Sequence, residues 1–276
     1  DGTAKNIFLP DKNMDKIISM AYETDSYFVG PLDIKSDKPC YYKKPYKRVA
    51  MASLTKLMTA LIVLENVKDL STTYYVSQEA VDIDKDASRA DLKVGDTISV
   101  KDLLYGLLIP SGNDAANVLA ENMDESKDNF LILMNNEAER IGCLNTHFSN
   151  AHGLDEEYHF TTAYDLYIIL THLLKYPLFS EITRLKEYTT NILQSDGTYR
   201  KTTWQNTNYF LTGDYLLYSN AVLLASKTGT TTNAGYCMAM VTKSKTTNVD
   251  YITIVLHAYS KSRLYSCLNA MIKSTH

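Results

Sequence analysis

The chain has 276 residues, 45% of them apolar, with a formal net charge of −4. That length buries a sizeable core without staples, so one large domain or two closely packed subdomains is expected. The mildly acidic balance and scattered lysines offer no basic stripe to nucleic acid, and no apolar run approaches the ~18 residues of a membrane span.

In chain order, "KIISMAYETDSYFVG" (residues 16–30) has the β-branched and aromatic content of a strand leading into a hairpin, and "CYYKK" supplies its return. Ser53 to Asn66 reads as a helix. Leu57, Ala60, Leu61 and Leu64 recur at i, i+3, i+4, i+7, with Ser53 at or near the start. From Lys68 to about Tyr176 the helical pattern dominates. "VKDLLYGLLI" and "DAANVLAENM" flank a break at Pro110 to Gly112, and "DNFLILMNNEAERIG" ends on Gly142, a suitable C′ residue. "TTAYDLYIILTHLLKY" is capped by Thr161 or Thr162 and followed by Pro177. After Ser180 the pattern turns to strands: "EYTTNIL", "TYRKTTW", "YCMAMVTKS" and "VDYITIVLHAY". "SRLYSCLNAMI" closes as a helix. The whole predicts an α/β body interrupted by an all-α region.

Cys40, Cys143, Cys237 and Cys267 show no CxxC or metal-ligand spacing. They read as buried thiols, with one or two disulfides left open. The sequence opens on Asp1 without methionine or signal peptide, so we read it as a processed or trimmed chain.

Three short stretches carry candidate chemistry. In "ASLTKLMTA", Ser53 and Lys56 stand at i and i+3, on one face of a helix. A serine hydroxyl needs a neighbouring base, and lysine serves only when neutral. Moving its pKa from about 10.4 to near 7 costs on the order of 4 kcal/mol, met by burial and a second cation. Alone, the spacing is read first as a capped amphipathic helix. In "LLIPSGNDAANVLAEN", Ser111 and Asn113 sit on a helical break that can present a hydroxyl and an amide to a cleft, although either also suits an N-cap. In "LLASKTGTTTNAGYCMAMV", Lys227-Thr228-Gly229 opens an apolar strand. Gly229 permits close backbone approach, and an edge strand there can pair with an extended peptide.

Together these are the S-x-x-K, S-D-N and K-T-G elements of class A β-lactamases and penicillin-binding proteins, in order, with S-G-N in the middle. With "FSNAHGL" and "TTAYDL", the chain resembles the penicillin-binding D-alanyl-D-alanine carboxypeptidases of the S11 serine peptidase family, over about residues 16–272. The resemblance implies an α+β fold of the β-lactamase/transpeptidase kind: an antiparallel sheet flanked by helices, with an inserted all-α subdomain. The α/β part would comprise about 1–66 and 181–276, and the helical part about 67–180. By similarity Ser53 attacks the carbonyl of the penultimate D-Ala, Lys56 is the general base and Ser111 relays a proton. Asn113 holds the substrate amide, and Lys227 stands near Ser111. Thr228, Gly229 and Thr230 shape the substrate-binding strand. The N–H groups of Ser53 and Thr230 form the oxyanion hole, and Arg263 meets the terminal carboxylate. No metal or cofactor is implied. The implied partners are a peptidoglycan pentapeptide ending in D-Ala-D-Ala and, as covalent inhibitors, β-lactams. The implied location is the extracytoplasmic face of a bacterial membrane. The β-rich domain and amphipathic anchor usual in the family do not follow His276 in this sequence, so membrane association would rest on segments outside it.

Competing readings remain. A β-lactamase needs a deacylating glutamate, and Glu187 to Asn191 gives a bare E-x-x-x-N in a strand-like stretch. A D,D-endopeptidase and a non-catalytic peptidoglycan-binding protein share the fold. The six histidines are dispersed without H-E-x-x-H, which disfavours a metallopeptidase, and His152 in "NAHGLD" reads as a structural loop residue.

Overall fold

The computed structural model describes residues 24–33, 38, 40–124 and 126–276. Strands β1 (Thr24–Pro31) and β2 (Tyr41–Lys43) pair antiparallel, with Phe28 opposite Tyr42. This is the expected hairpin; residues 16–23 of the predicted strand lie outside the described residues. A 3-10 turn (Ala52–Leu54) leads into helix α1 (Thr55–Asn66). Next come β3 (Thr73–Tyr75), α2 (Gln78–Val81), β4 (Thr97–Ser99), α3 (Val100–Leu108), α4 (Asn113–Met123), α5 (Lys127–Ile141), α6 (Ala163–Leu173) and α7 (Pro177–Thr183). Then follow β5 (Glu187–Leu193), β6 (Tyr199–Gln205), the short α8 (Tyr209–Thr212), β7 (Ala221–Thr231), β8 (Gly235–Ser244), β9 (Asp250–Ala258) and α9 (Lys261–Thr275).

Helix ends follow their local chemistry. The hydroxyls of Ser99, Ser126, Thr162 and Ser260 accept N–H bonds from Asp102, Asn129, Asp165 and Arg263, each three residues on. Gly142 closes α5 at φ +94, as its place in the sequence predicts. Pro177 does not merely follow α6. It opens α7 from the first turn, where its missing N–H costs nothing.

The main sheet is antiparallel, in the order β2-β1-β9-β8-β7. Both faces are covered. Tyr27, Val29, Met238, Met240 and Val255 pack with Leu264, Leu268, Met271 and Ile272 of α9. Phe28, Ala239, Val241, Ile252 and Ile254 face the other way, into the core built around α1 and α6. Alternation along each strand sorts the residues to the two sides. Because both sides are apolar, β8 and β9 read as nearly continuous hydrophobic runs. Helix α1 is the centre of the molecule, with every residue from Thr55 to Val63 buried. Such a helix is apolar nearly all round, so the buried Lys56 within it is conspicuous.

Strands β5 and β6 form where the sequence predicts strands, but they join β3 and β4 in a separate sheet, in the order β3-β4-β5-β6. The sequence pattern does not predict this second sheet, and β3 and β4 lie within the stretch, about 67–180, expected to be all-α. Trp204 of β6 donates from Nε1 to the Ala90 carbonyl at 2.8 Å, which ties this sheet to the loop over the α3–α4 break. The four cysteines are buried and joined by no disulfide.

Candidate active site

Ser53 lies within the 3-10 turn rather than capping α1, which has no side-chain cap. The turn is tight. Ala52 adopts φ +50, a left-handed conformation disfavoured for a residue with a Cβ. Two glycines press on it. A Cβ at Gly153, itself at φ +104, would overlap the Ala52 carbonyl and come within 3.0 Å of the Ser53 nitrogen. A Cβ at Gly229 of β7 would stand 2.9 Å from the same nitrogen. Only bare backbone fits at either position, so the peptide ahead of Ser53 is held between two chain segments.

In the first turn of α1, the Lys56 amine reaches Ser53 Oγ at 2.7 Å, Asn113 Oδ1 at 2.7 Å and the His152 carbonyl at 2.8 Å. The side chain is completely buried. Burial, and secondarily the charge of Lys227, hold its pKa well below the ordinary lysine value, while Asp114 opposes them. A neutral amine has two hydrogens and one lone pair. The carbonyl oxygens of Asn113 and His152 only accept, so they take the hydrogens. In that neutral form the lone pair is left for the Ser53 hydroxyl proton. The neutral amine is therefore placed to accept that proton.

Ser111 and Asn113 are both buried on the break between α3 and α4. Ser111 sits at φ +63, which turns its hydroxyl away from α4, whose N-cap is Gly112. The Asp114 carboxylate braces this break by accepting N–H bonds from Ala90, Leu92 and Ala115. Across the cleft, Lys227 donates to Ser111 Oγ at 2.9 Å and to the Thr228 carbonyl at 2.8 Å. Burial brings its pKa down to about 7.

Two adjoining cavities meet at Ser53. One, of about 180 Å³, follows β7 past Thr228, Gly229 and Thr230 toward Tyr209 and Lys261. The other, of about 380 Å³, passes Asn113, His152 and Asp155. Thr230 lines both, and among the described residues β7 is the outermost strand of its sheet.

A profile of the D-alanyl-D-alanine carboxypeptidase family, peptidase S11, matches residues 18–260. The chain belongs to this family. Carboxypeptidase DacF of Bacillus subtilis is 31% identical over 87% of the chain, and DacC of Escherichia coli is 33% identical over 82%. The chain spans 58% and 55% of their respective lengths. The crystal structure of the Streptomyces K15 DD-transpeptidase superposes with a TM-score of 0.82 at 28% identity, covering 91% of this chain and 96% of that one. The fold is thus the β-lactamase-like one expected from the motifs.

Of the sequence-predicted site residues, this S11 chain brings Ser53, Lys56, Ser111, Asn113, Lys227, Thr228, Gly229 and Thr230 to one cleft. Arg263 stands apart. Its side chain is exposed on the first turn of α9 and lines neither cavity, whereas Lys261, two residues earlier, does line one. Two residues on a helix are about 200° apart, so the face bearing Lys261, Leu264 and Tyr265 meets the cleft and Arg263 looks away. The Lys261 amine donates to Tyr209 Oη at 2.9 Å and lies 4.4 Å from that ring's centroid. His152, read from sequence as a loop residue, contributes its carbonyl to Lys56. Burial lowers the pKa of its ring to about 3, so the imidazole is neutral. Neither the His152 carbonyl nor Gly153 leaves a side-chain signature in the sequence.

Proposed function

We propose that this chain is a serine D,D-carboxypeptidase that removes the terminal D-Ala from peptidoglycan stem peptides. The observation that carries the reading is the fully buried Lys56 amine standing 2.7 Å from the Ser53 hydroxyl, where burial favours its neutral form. A peptide ending in D-Ala-D-Ala lies along β7. Lys56 Nζ takes the hydroxyl proton as Ser53 Oγ bonds to the penultimate carbonyl carbon. The oxyanion is met by the N–H groups of Ser53 and Thr230. Asn113 holds the substrate amide. The C–N bond breaks, and the proton passes to the departing D-Ala nitrogen by way of Ser111, next to Lys227. Water then hydrolyses the ester. The terminal carboxylate is met by the hydroxyls of Thr228 and Thr230 and by Lys261, in place of Arg263. No step calls for a metal. A β-lactam presents the same carbonyl to Ser53 and stays attached. The substrate is wall peptidoglycan, reached on the extracytoplasmic side.

The β-lactamase reading loses its candidate base. Glu187 is exposed on β5, bonded to Gln205, and lines neither cavity. The deciding experiment incubates the protein with a peptide ending in D-Ala-D-Ala and measures free D-alanine, alongside fluorescent penicillin labelling. Wild type is expected to release D-alanine and take one label, and Ser53→Ala to do neither. Release by Ser53→Ala, or unlabelled wild type, refutes the reading. A muropeptide digest distinguishes loss of a terminal residue from cleavage of a cross-link.

A further inference from the structure

His159 is buried behind the turn that carries Ser53, and it lines neither of the two cavities that meet there. Its hydrogen bonds fix its tautomer. Nδ1 accepts the Ser149 N–H at 3.0 Å, so Nε2 bears the hydrogen. Nε2 stands 2.6 Å from Thr55 Oγ1. That hydroxyl donates its own hydrogen to the Ala52 carbonyl at 2.9 Å, so it accepts from His159. The chain of donors runs from Ser149 N–H to His159, to Thr55, to the Ala52 oxygen. The Ala52 C=O and the Ser53 N–H belong to one planar trans peptide and point in opposite directions. Whatever aims the oxygen also aims the N–H. That peptide follows a residue in left-handed backbone, so its orientation has to be imposed by neighbours.

We propose that His159 is a positioning residue which, through Thr55 and the Ala52 carbonyl, aims the Ser53 N–H at the developing oxyanion. This rests on the acyl-enzyme reading above. His159 touches no reacting atom. Burial pulls its pKa down to about 4, so the neutral tautomer that the relay requires persists at neutral pH.

The test measures acylation by a fluorescent penicillin under single-turnover conditions, separating the rate constant of acylation from the dissociation constant of the preceding complex. His159→Phe and Thr55→Val each break the relay and are expected to slow acylation about tenfold or more, since loss of a whole oxyanion donor costs roughly 10²–10³. The dissociation constant of the complex stays within about twofold, because ground-state contacts are untouched. Thr55→Ser retains the hydroxyl and most of the rate. The double variant His159→Phe/Thr55→Val is no slower than Thr55→Val alone, since both cut one path. A purely structural role would instead lower the melting temperature and the labelled fraction, leaving the acylation constant of the folded molecules unchanged. That outcome overturns the inference. If His159→Phe does not fold, the two Thr55 variants decide by the same criterion. A wild type that takes no label overturns the acyl-enzyme reading and this inference together.

Discussion

Gly153→Ala separates the cost of a backbone conformation from the cost of moving the nucleophile. Gly153 and Gly197 share left-handed backbone, at φ +104 and +82. A methyl at Gly197 meets nothing within 4 Å, whereas one at Gly153 comes within 2.5 Å of the Ala52 carbonyl carbon. Both substitutions carry the conformational penalty of about 1 kcal/mol, or a few degrees in melting temperature. Only the second also lacks space. Carbon atoms pack at about 3.5 Å, so the Ala52–Ser53 peptide has to retreat by roughly 1 Å. A misplacement of that size at a reacting centre costs about a hundredfold. The second-order rate constant for acylation by a fluorescent penicillin, measured beside thermal melting, checks this. Gly197→Ala should melt a few degrees early and acylate as wild type, and Gly153→Ala should acylate about a hundredfold more slowly. Wild-type acylation by folded Gly153→Ala would refute the claim that this glycine sets the nucleophile's position.

Lys227→Met removes the cation that helps lower the Lys56 pKa. The protonated amine of Lys56 is inactive as a base, so acylation rises with pH as it deprotonates, and in the variant that rise should move to higher pH. A pH–rate profile that does not move, or moves down, counts against the electrostatic role of Lys227. Lys261→Ala should raise KM for a D-Ala-D-Ala peptide about tenfold or more, the effect expected for a charge-assisted contact, while Arg263→Ala leaves it nearly unchanged. The reverse order in steady-state kinetics restores Arg263. Asp114→Asn leaves one oxygen where a carboxylate serves three buried N–H groups, costing about 1–3 kcal/mol. Calorimetry should record a melting temperature several degrees lower.

The sequence makes the main body legible because its two periodicities are long and uninterrupted. β8 and β9 run for 10 and 9 residues and α1 for 12, enough for a pattern to declare itself. The second sheet escapes because β3 and β4 have 3 residues each, too few for any alternation, and their pairing with β5 and β6 is a long-range fact. The site divides along a different line. Ser53, Lys56, Ser111, Asn113 and Lys227 are readable because their side chains fall in three short motifs that are specific when they occur together and in order. The His152 carbonyl and the two pressing glycines act through backbone, which every residue has. Helix phase is equally hidden from local pattern, since which of two nearby cations, Lys261 or Arg263, faces the cleft depends on how α9 is rotated.

Local rules give the wrong answer at two serines, and the errors have one cause. Propensity makes Ser53 and Ser111 candidate helix caps, a role that would bind each hydroxyl to the N–H groups of the following turn. Neither serves as a cap. Ala52 at φ +50 and Ser111 at φ +63 bend the chain out of the capping geometry, at about 1–3 kcal/mol each. The bend at Ala52 is sustained by Gly153, Gly229 and the Thr55 hydroxyl, and the break carrying Ser111 by the Asp114 carboxylate and Trp204. What the strain secures is a pair of hydroxyls that the backbone cannot claim, each left to a buried lysine. A sequence optimised only for helix stability would have capped both helices and lost both hydroxyls to the backbone. The local conflict at these two positions is thus itself evidence for chemistry at the junction of the three motifs.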